Sequence, residues 1–303
     1  MTTDIGPDAV TEAPIRAAVR SARPKQWLKN VLVFAAPGAA GVLDQPPELL
    51  ATVLTFAAFC LASSGTYYWN DILDVEADRI HPTKRHRPIA SGALALGPAK
   101  VIGTVMVLAA PVLAALTGRW QVMAIVIIYL ALTILYSTVL KRIAVVDLVT
   151  VAAGFVLRAA AGAVAVDVPM SSWFVVCITF GALFVVTGKR YAELIQRGAE
   201  AASSRSTLAI YPLDYLRTVL GIACAGAILT YSLWAFESKG ARGAEQPLYE
   251  LSMVPLVIAL LRYLLVLYRG EGAAPEEVFL RDRTLQVSGL IWVVIYGLAV
   301  YTS

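Results

Sequence analysis

The chain has 303 residues, of which 58% are hydrophobic and only 15% charged, with a formal net charge of +4 and a mean hydropathy of +0.70. Water-soluble domains hold about 45–50% apolar and about 25% charged residues, so one water-soluble globule is excluded. The excess falls in blocks long enough to cross about 30 Å of hydrocarbon, without the alternating short segments of a barrel, and the expected fold class is all-α and polytopic in a membrane.

In chain order, residues 1–22 read as a cytosolic tail carrying Asp4, Asp8 and Glu12, then an interfacial helix over Pro14–Ala22. Residues 23–303 read as one transmembrane catalytic domain of nine helices, expected over 27–43, 49–70, 96–116, 120–138, 145–166, 172–187, 215–236, 249–267 and 285–301. Turn chemistry separates several of these, at Asp44-Gln45-Pro46-Pro47, at Asp167-Val168-Pro169 and between Glu237 and Pro247. Gly154 and Gly162 predict close helix contacts. Cys60, Cys177 and Cys224 lie inside apolar blocks without metal-ligand spacing and read as packing residues.

Lysine and arginine in short loops set the orientation. With the N-terminus inside, the inner segments carry Arg16, Arg20, Arg23, Lys25 and Lys29, then Arg79, Lys84, Arg85, Arg87 and Lys100, and later Lys141, Arg142, Lys189, Arg190, Arg197, Arg205, Arg269, Arg281 and Arg283. The outer loops carry only Arg119, Lys239 and Arg242. The expected topology is a multi-pass protein of the plasma (inner) membrane, N-terminus and chemistry cytosolic, C-terminus outside.

The second block ends in Asn70-Asp71-Ile72-Leu73-Asp74-Val75-Glu76-Ala77-Asp78-Arg79. Asn70, Asp74 and Asp78 are spaced i, i+4, i+8 and stack on one helix face, about 6 Å per step, with Asp71 beside them. Such a stripe at a membrane boundary repels itself unless a cation sits in it. Hard oxygen donors select Mg2+, which bridges to phosphate oxygens. Asn70, Asp74 and Asp78 are therefore the expected catalytic metal ligands; the bland alternative is a solvated acidic helix end. Arg79, Lys84 and Arg87 follow at once. Carboxylates for Mg2+ and then cations for phosphate oxygens make a diphosphate clamp, although a positive-inside loop would also be basic. A third cluster, Lys189-Arg190-Tyr191-Ala192-Glu193, reads either as a second wall of an anion site or as an ion pair ending a helix. Arg158 lies deep in the fifth block, where a charge is a functional residue by default. Lys25, Lys29, Tyr136 and Lys141 read as phosphate contacts or as interfacial anchors.

The pattern Asn70-Asp71-x-x-Asp74-x-x-x-Asp78 after the second span, with Tyr136 and Lys141-Arg142 after the fourth, resembles the UbiA superfamily of intramembrane prenyltransferases, from Arg16 to the C-terminus. The resemblance implies nine helices around a central cavity open to lipid, with a prenyl diphosphate held through Mg2+ by two Asp-rich motifs. The second motif departs from the pattern. Where a typical member carries DxxxD, this chain reads Gly188-Lys189-Arg190-Tyr191-Ala192-Glu193-Leu194. One acid remains and two cations have arrived, which suits substrates carrying more phosphate.

This string, with Arg23-Pro24-Lys25-Gln26-Trp27-Leu28-Lys29-Asn30 and His81-Pro82-Thr83-Lys84-Arg85-His86-Arg87-Pro88, is similar to one branch of the superfamily. That branch takes 5-phosphoribosyl diphosphate as donor and a polyprenyl (decaprenyl) phosphate as acceptor, for cell-wall arabinan. The resemblance implies that Asn70, Asp74 and Asp78, with Asp71, hold Mg2+ on the diphosphate. It puts Lys84, Arg87, Lys189 and Arg190 on the donor phosphates, and Arg158, Lys25 and Lys29 on the lipid phosphate. Arg79, Tyr136, Lys141, Tyr191 and Glu193 complete the expected substrate-binding set. Two rivals stay open: aromatic prenyl transfer in a quinone or haem pathway, and an anion transporter, whose charges would line a path across the whole membrane. Nucleic acid is not an expected partner, and the oligomeric state is open, a homo-oligomer included.

Overall fold

The structure, a computed structural model, describes residues 13–197, 210–272 and 274–302. The acidic tail with Asp4, Asp8 and Glu12, and Arg205 of the basic inner set, lie outside the described residues. The elements run α1 (Pro14–Ala22), a 3-10 segment (Pro24–Phe34), α2 (Ala35–Ala40), α3 (Pro46–Leu73), α4 (Val75–Ile80), α5 (Leu96–Ala115), α6 (Trp120–Thr138), α7 (Val146–Ala165) and α8 (Ser172–Arg197). After these come α9 (Leu213–Arg242), α10 (Leu248–Leu251), α11 (Met253–Tyr268), α12 (Pro275–Arg281) and α13 (Arg283–Tyr301).

Eight helices among the described residues are long and apolar enough to cross a membrane: α3, α5 to α9, α10 read through into α11, and α13. The expected ninth, over 27–43, is not a continuous α-helix. Its residues form the 3-10 segment and the short α2. At about 2.0 Å per 3-10 residue and about 1.5 Å per α residue, the segment still extends about 31 Å. Packing contacts hold it in this form. A Cβ on Gly162 of α7 would stand 1.8 Å from the Val33 carbonyl oxygen, so the two backbones touch. Buried Asn30 of the segment donates to Cys60 Sγ (3.2 Å) and Ser63 Oγ (3.4 Å) of α3.

Helix α1 forms where the sequence places it, with proline in its first turn, where a missing N–H costs nothing. Tyr68 Oη donates to Ala18 O and Ser64 Oγ to Ala22 O, tying α1 to α3. Consecutive long helices pack on one another, from α3 on α5 round to α11 on α13, as short connections require. The segment 24–40 lies against α3, α7 and α13. On α5, Val101, Val105, Leu108 and Val112 recur every three or four residues and are 59–64% exposed. That unbroken apolar face suits hydrocarbon rather than water.

Candidate active site

The acidic motif does not sit on one straight helix. Helix α3 ends at Leu73, and Asp74 is the joint (φ −92°, ψ 7°) before α4. Helical hydrogen bonding still passes through it, since Asp74 N donates to Asn70 O (2.9 Å) and Asp78 N to Asp74 O (2.8 Å). The side chains sort differently from the expected stripe. Asp71 and Asp78 are buried, Asn70 is half-buried and Asp74 is exposed. The reason is the helical repeat. Seven residues fall within about 20° of two full turns, whereas eight overshoot by about 80°. Asp71 and Asp78 thus share a face, and Arg87 Nη1 bridges them at 3.0 Å from Asp71 Oδ1 and 2.6 Å from Asp78 Oδ2. Arg23 Nη2 reaches Asp71 Oδ1 at 2.5 Å and its guanidinium lies 4.7 Å over the Tyr67 ring. Lys84 Nζ is 3.9 Å from Asp78 Oδ1. Arg79 turns away, to Glu76 (2.8 Å) and the Ala90 carbonyl.

Behind this mouth lies a cavity of about 200 Å³ between the 3-10 segment, α3, α6 and α7. Lys29, Tyr67, Asn70, Tyr136 and Arg158 are among its lining residues. Arg158 is buried, and each arm of its guanidinium is committed: Nε to Asn30 Oδ1 (2.8 Å), Nη1 to Gly154 O (2.7 Å) and Nη2 to Tyr129 Oη (2.9 Å). The Tyr129 ring also lies 4.6 Å from the guanidinium carbon. Arg158 therefore joins three elements and still presents charge to the cavity. Lys25 stays outside, 72% exposed, 3.6 Å from Glu277 Oε1.

The second wall divides along α8, where each residue turns by about 100°. Lys189 lies 4.0 Å from Glu193 Oε1 and is 37% exposed. Arg190 points inward, contrary to the expected phosphate contact. Its guanidinium meets Asp147 Oδ2 (3.4 Å), Glu193 Oε2 (3.4 Å) and Tyr136 Oη (3.0 Å). Tyr191, about 200° round from Lys189, is buried in the core with its ring against Tyr268 (5.6 Å), and is not in the cavity wall. Asp147 also accepts from Tyr211 Oη, which in turn accepts from Val145 N. Burial first, and the Asp147 hydrogen bond next, push the Tyr211 phenol well above its ordinary range, so it stays a donor. Val145 has φ 69°, rare for a β-branched residue, and this hydrogen bond holds it there. Lys141 is exposed on the 3-10 turn Leu140–Arg142 and is not among the cavity-lining residues.

The UbiA prenyltransferase family matches residues 31–293. The chain belongs to this family. Among its UbiA relatives, a decaprenyl-phosphate phosphoribosyltransferase of Mycobacterium tuberculosis is 41% identical over 304 residues, covering 97% of this chain and 98% of that one. A Corynebacterium glutamicum protein of the same name is also 41% identical, over 93% of this chain and 86% of its own. In solved structures, a UbiA homologue from Archaeoglobus fulgidus bound to DMAPP and Mg2+ superposes with a TM-score of 0.70 at 17% identity, covering 94% of this chain and 99% of that one. That likeness shows the fold.

The donor set of this UbiA chain fits Mg2+. Two buried carboxylates already converge on a single cationic atom, Arg87 Nη1, and Asn70 offers an amide oxygen nearby. Mg2+ takes one or two carboxylates and completes its shell with water and phosphate. A cluster of three acids is absent among the described residues, and Mg2+ does not need one. Asp71, expected only beside the stripe, shares Arg87 with Asp78, and Asp147, Tyr211 and Tyr129 are site residues that the motifs do not mark. The i, i+7 spacing of Asp71 and Asp78 was the available signal; no sequence signal marks Tyr211.

Proposed function

We propose that this UbiA protein transfers 5-phosphoribose from phosphoribosyl diphosphate to a polyprenyl phosphate of the decaprenyl class. The bond from the anomeric carbon to the diphosphate oxygen breaks, and a bond from that carbon to a lipid phosphate oxygen forms. Diphosphate leaves with the bonding pair. The observation that carries this reading is the imbalance of the site. The acidic pair Asp71 and Asp78 meets Lys84 and Arg87, Lys29 and Arg158 line the cavity behind it and Lys189 is within electrostatic reach of Lys29, where a prenyl diphosphate site would want a second acidic wall. Relatives named decaprenyl-phosphate phosphoribosyltransferase at 39–41% identity support it.

Bound Mg2+ would neutralise charge on the leaving diphosphate, held by Asp71 and Asp78 with Asn70; Asp74, exposed at the joint, is the remaining oxygen donor of the motif. Lys84, Arg87 and Lys189 stabilise donor phosphate oxygens as negative charge develops. Lys29 and Arg158, at the cavity wall, orient the lipid phosphate. A phosphate dianion is already a nucleophile, so no side chain has to remove a proton. Arg190, itself held by Asp147, positions Tyr136 at the cavity wall and Glu193 beside Lys189. The reaction face is cytosolic, with the N-terminus inside.

Purified protein with Mg2+, labelled phosphoribosyl diphosphate and decaprenyl phosphate tests this directly. Label should move to the organic phase, and Asp78→Asn should abolish transfer while the helical circular dichroism is unchanged. Label that stays aqueous, while a prenyl diphosphate is consumed with an aromatic acceptor, overturns the reading.

A further inference from the structure

Six buried side-chain N or O atoms lack a hydrogen-bond partner among the described residues, and three of them belong together: Thr187 Oγ1, Tyr263 Oη and Glu276 Oε2. Their residues are 0%, 2% and 9% exposed. The Tyr263 ring of α11 lies edge-on to Phe184 of α8 (5.6 Å) and stacked on Phe279 of α12 (5.5 Å). Thr187 is one turn after Phe184 on α8, and Glu276 one turn before Phe279 on α12. Residues three apart share a helix face, so both polar groups lie on the faces that meet Tyr263. The Glu276 carboxylate is within electrostatic reach of the Tyr263 phenol.

This cluster is joined to the cationic site. The other oxygen of Glu276 accepts from Gln26 Nε2, and Gln26 Oε1 accepts from Lys29 Nζ at the cavity wall. Buried polar groups are normally satisfied, and those that are not call for an explanation. The cationic residues of the site can only donate hydrogen bonds, which suits phosphate oxygens. Sugar hydroxyls also need an acceptor. A carboxylate oxygen flanked by two hydroxyls supplies one, with further groups that donate or accept.

We propose that Thr187, Tyr263 and Glu276 form a hydroxyl-recognising subsite that takes the ribose diol of the sugar-phosphate donor. The proposal rests on the phosphoribosyl-transfer reading and adds the part of the site that distinguishes a sugar diphosphate from other diphosphates.

Calorimetric titration of full-length protein in lipid nanodiscs with Mg2+ compares phosphoribosyl diphosphate with inorganic pyrophosphate, which has no sugar hydroxyl. Thr187→Val and Tyr263→Phe should weaken phosphoribosyl diphosphate about 3- to 10-fold, and Glu276→Gln about 10- to 100-fold. Pyrophosphate affinity should change less than about twofold, since hydrogen bonds to absent hydroxyls cannot be lost. The unliganded Thr187→Val and Tyr263→Phe proteins should melt at the wild-type temperature or above, because a buried unpartnered hydroxyl is gone. Equal weakening of both ligands, no change for either, or a lower melting temperature without ligand selectivity overturns the subsite; the last result would mean a water-filled structural cluster. If wild type binds pyrophosphate but not phosphoribosyl diphosphate, the transfer reading falls and the subsite with it. If wild type binds both and the variants do likewise, only the subsite falls. Should Glu276→Gln fail to fold, the two hydroxyl variants carry the test.

Discussion

Arg158 and Arg87 show how one guanidinium can organise a membrane-embedded site. Arg158 meets an amide, a backbone carbonyl and a phenol from three elements, a set that the five-donor guanidinium fork can serve at once. Arg158→Lys keeps the charge but cannot reach all three acceptors. It should destabilise the protein by about 1–3 kcal/mol, read as a lower melting temperature in detergent; an unchanged temperature would show that the hub does not support the fold. A buried charge at this position was legible from the fifth block alone. Its partners were not, because Asn30 and Tyr129 are 128 and 29 residues away. Arg87 was legible as a cation beside the acidic motif, but its bridge between Asp71 and Asp78 was not, since the repeat that puts those two on one face does not say which cation meets them.

Among the elements, the 3-10 segment departs furthest from its sequence expectation. Hydropathy fixed an apolar block without fixing its winding. The winding is held by Gly162, which leaves room for the Val33 carbonyl. Gly162→Ala puts a methyl group against a backbone that cannot swing aside, and should cost about 3 kcal/mol or more; wild-type expression and melting temperature in this variant would refute the contact. Helix α13 depends on its cap. Asp282 Oδ1 accepts from Leu285 N (3.0 Å), and Oδ2 accepts from Arg262 Nε and Nη2 (3.0 and 2.8 Å). Asp282→Ala should cost about 1 kcal/mol at pH 7. The Arg262 hydrogen bonds hold the Asp282 carboxyl below its ordinary range. Its contribution is therefore complete above the unfolded value of about 3.9 and lost as pH falls through the lower folded value. The melting-temperature gap between wild type and Asp282→Ala should hold from pH 7 to about 5 and close below about 4; a gap that persists at pH 2 would contradict this.

At the scale of the molecule, the charges separate by face. Those on the face away from the acidic motif pair locally, Arg119 with Asp167 (3.2 Å) and Lys239 with Glu250 (2.5 Å), and Arg242 donates to the Val300 and Ala39 carbonyls. Charges paired on that face do not make a conduit, which weighs against the transporter alternative. The N-inside orientation predicts which loops face the cytosol. Arg85→Cys should react with an impermeant maleimide only in inverted vesicles, and Glu245→Cys only in right-side-out vesicles. Both positions are exposed, while Cys60 and Cys224 are buried and Cys177 is partly covered. The reverse labelling pattern would invert the topology.

By itself the sequence determined the helical membrane class, the family, the acidic motif at the end of α3 and the basic mouth around it. These follow from hydropathy over twenty-residue blocks and from motif spacing, both local in the chain. Tertiary structure decided the rest. It set the 3-10 form of the first apolar segment, the pairing of Asp71 rather than Asp74 with Asp78, the inward turn of Arg190, the burial of Tyr191, and the meeting of Glu276 with Gln26 across 250 residues. Each depends on which neighbour covers a helix face or bends its axis, and periodicity within one helix carries no information about a partner contributed by another.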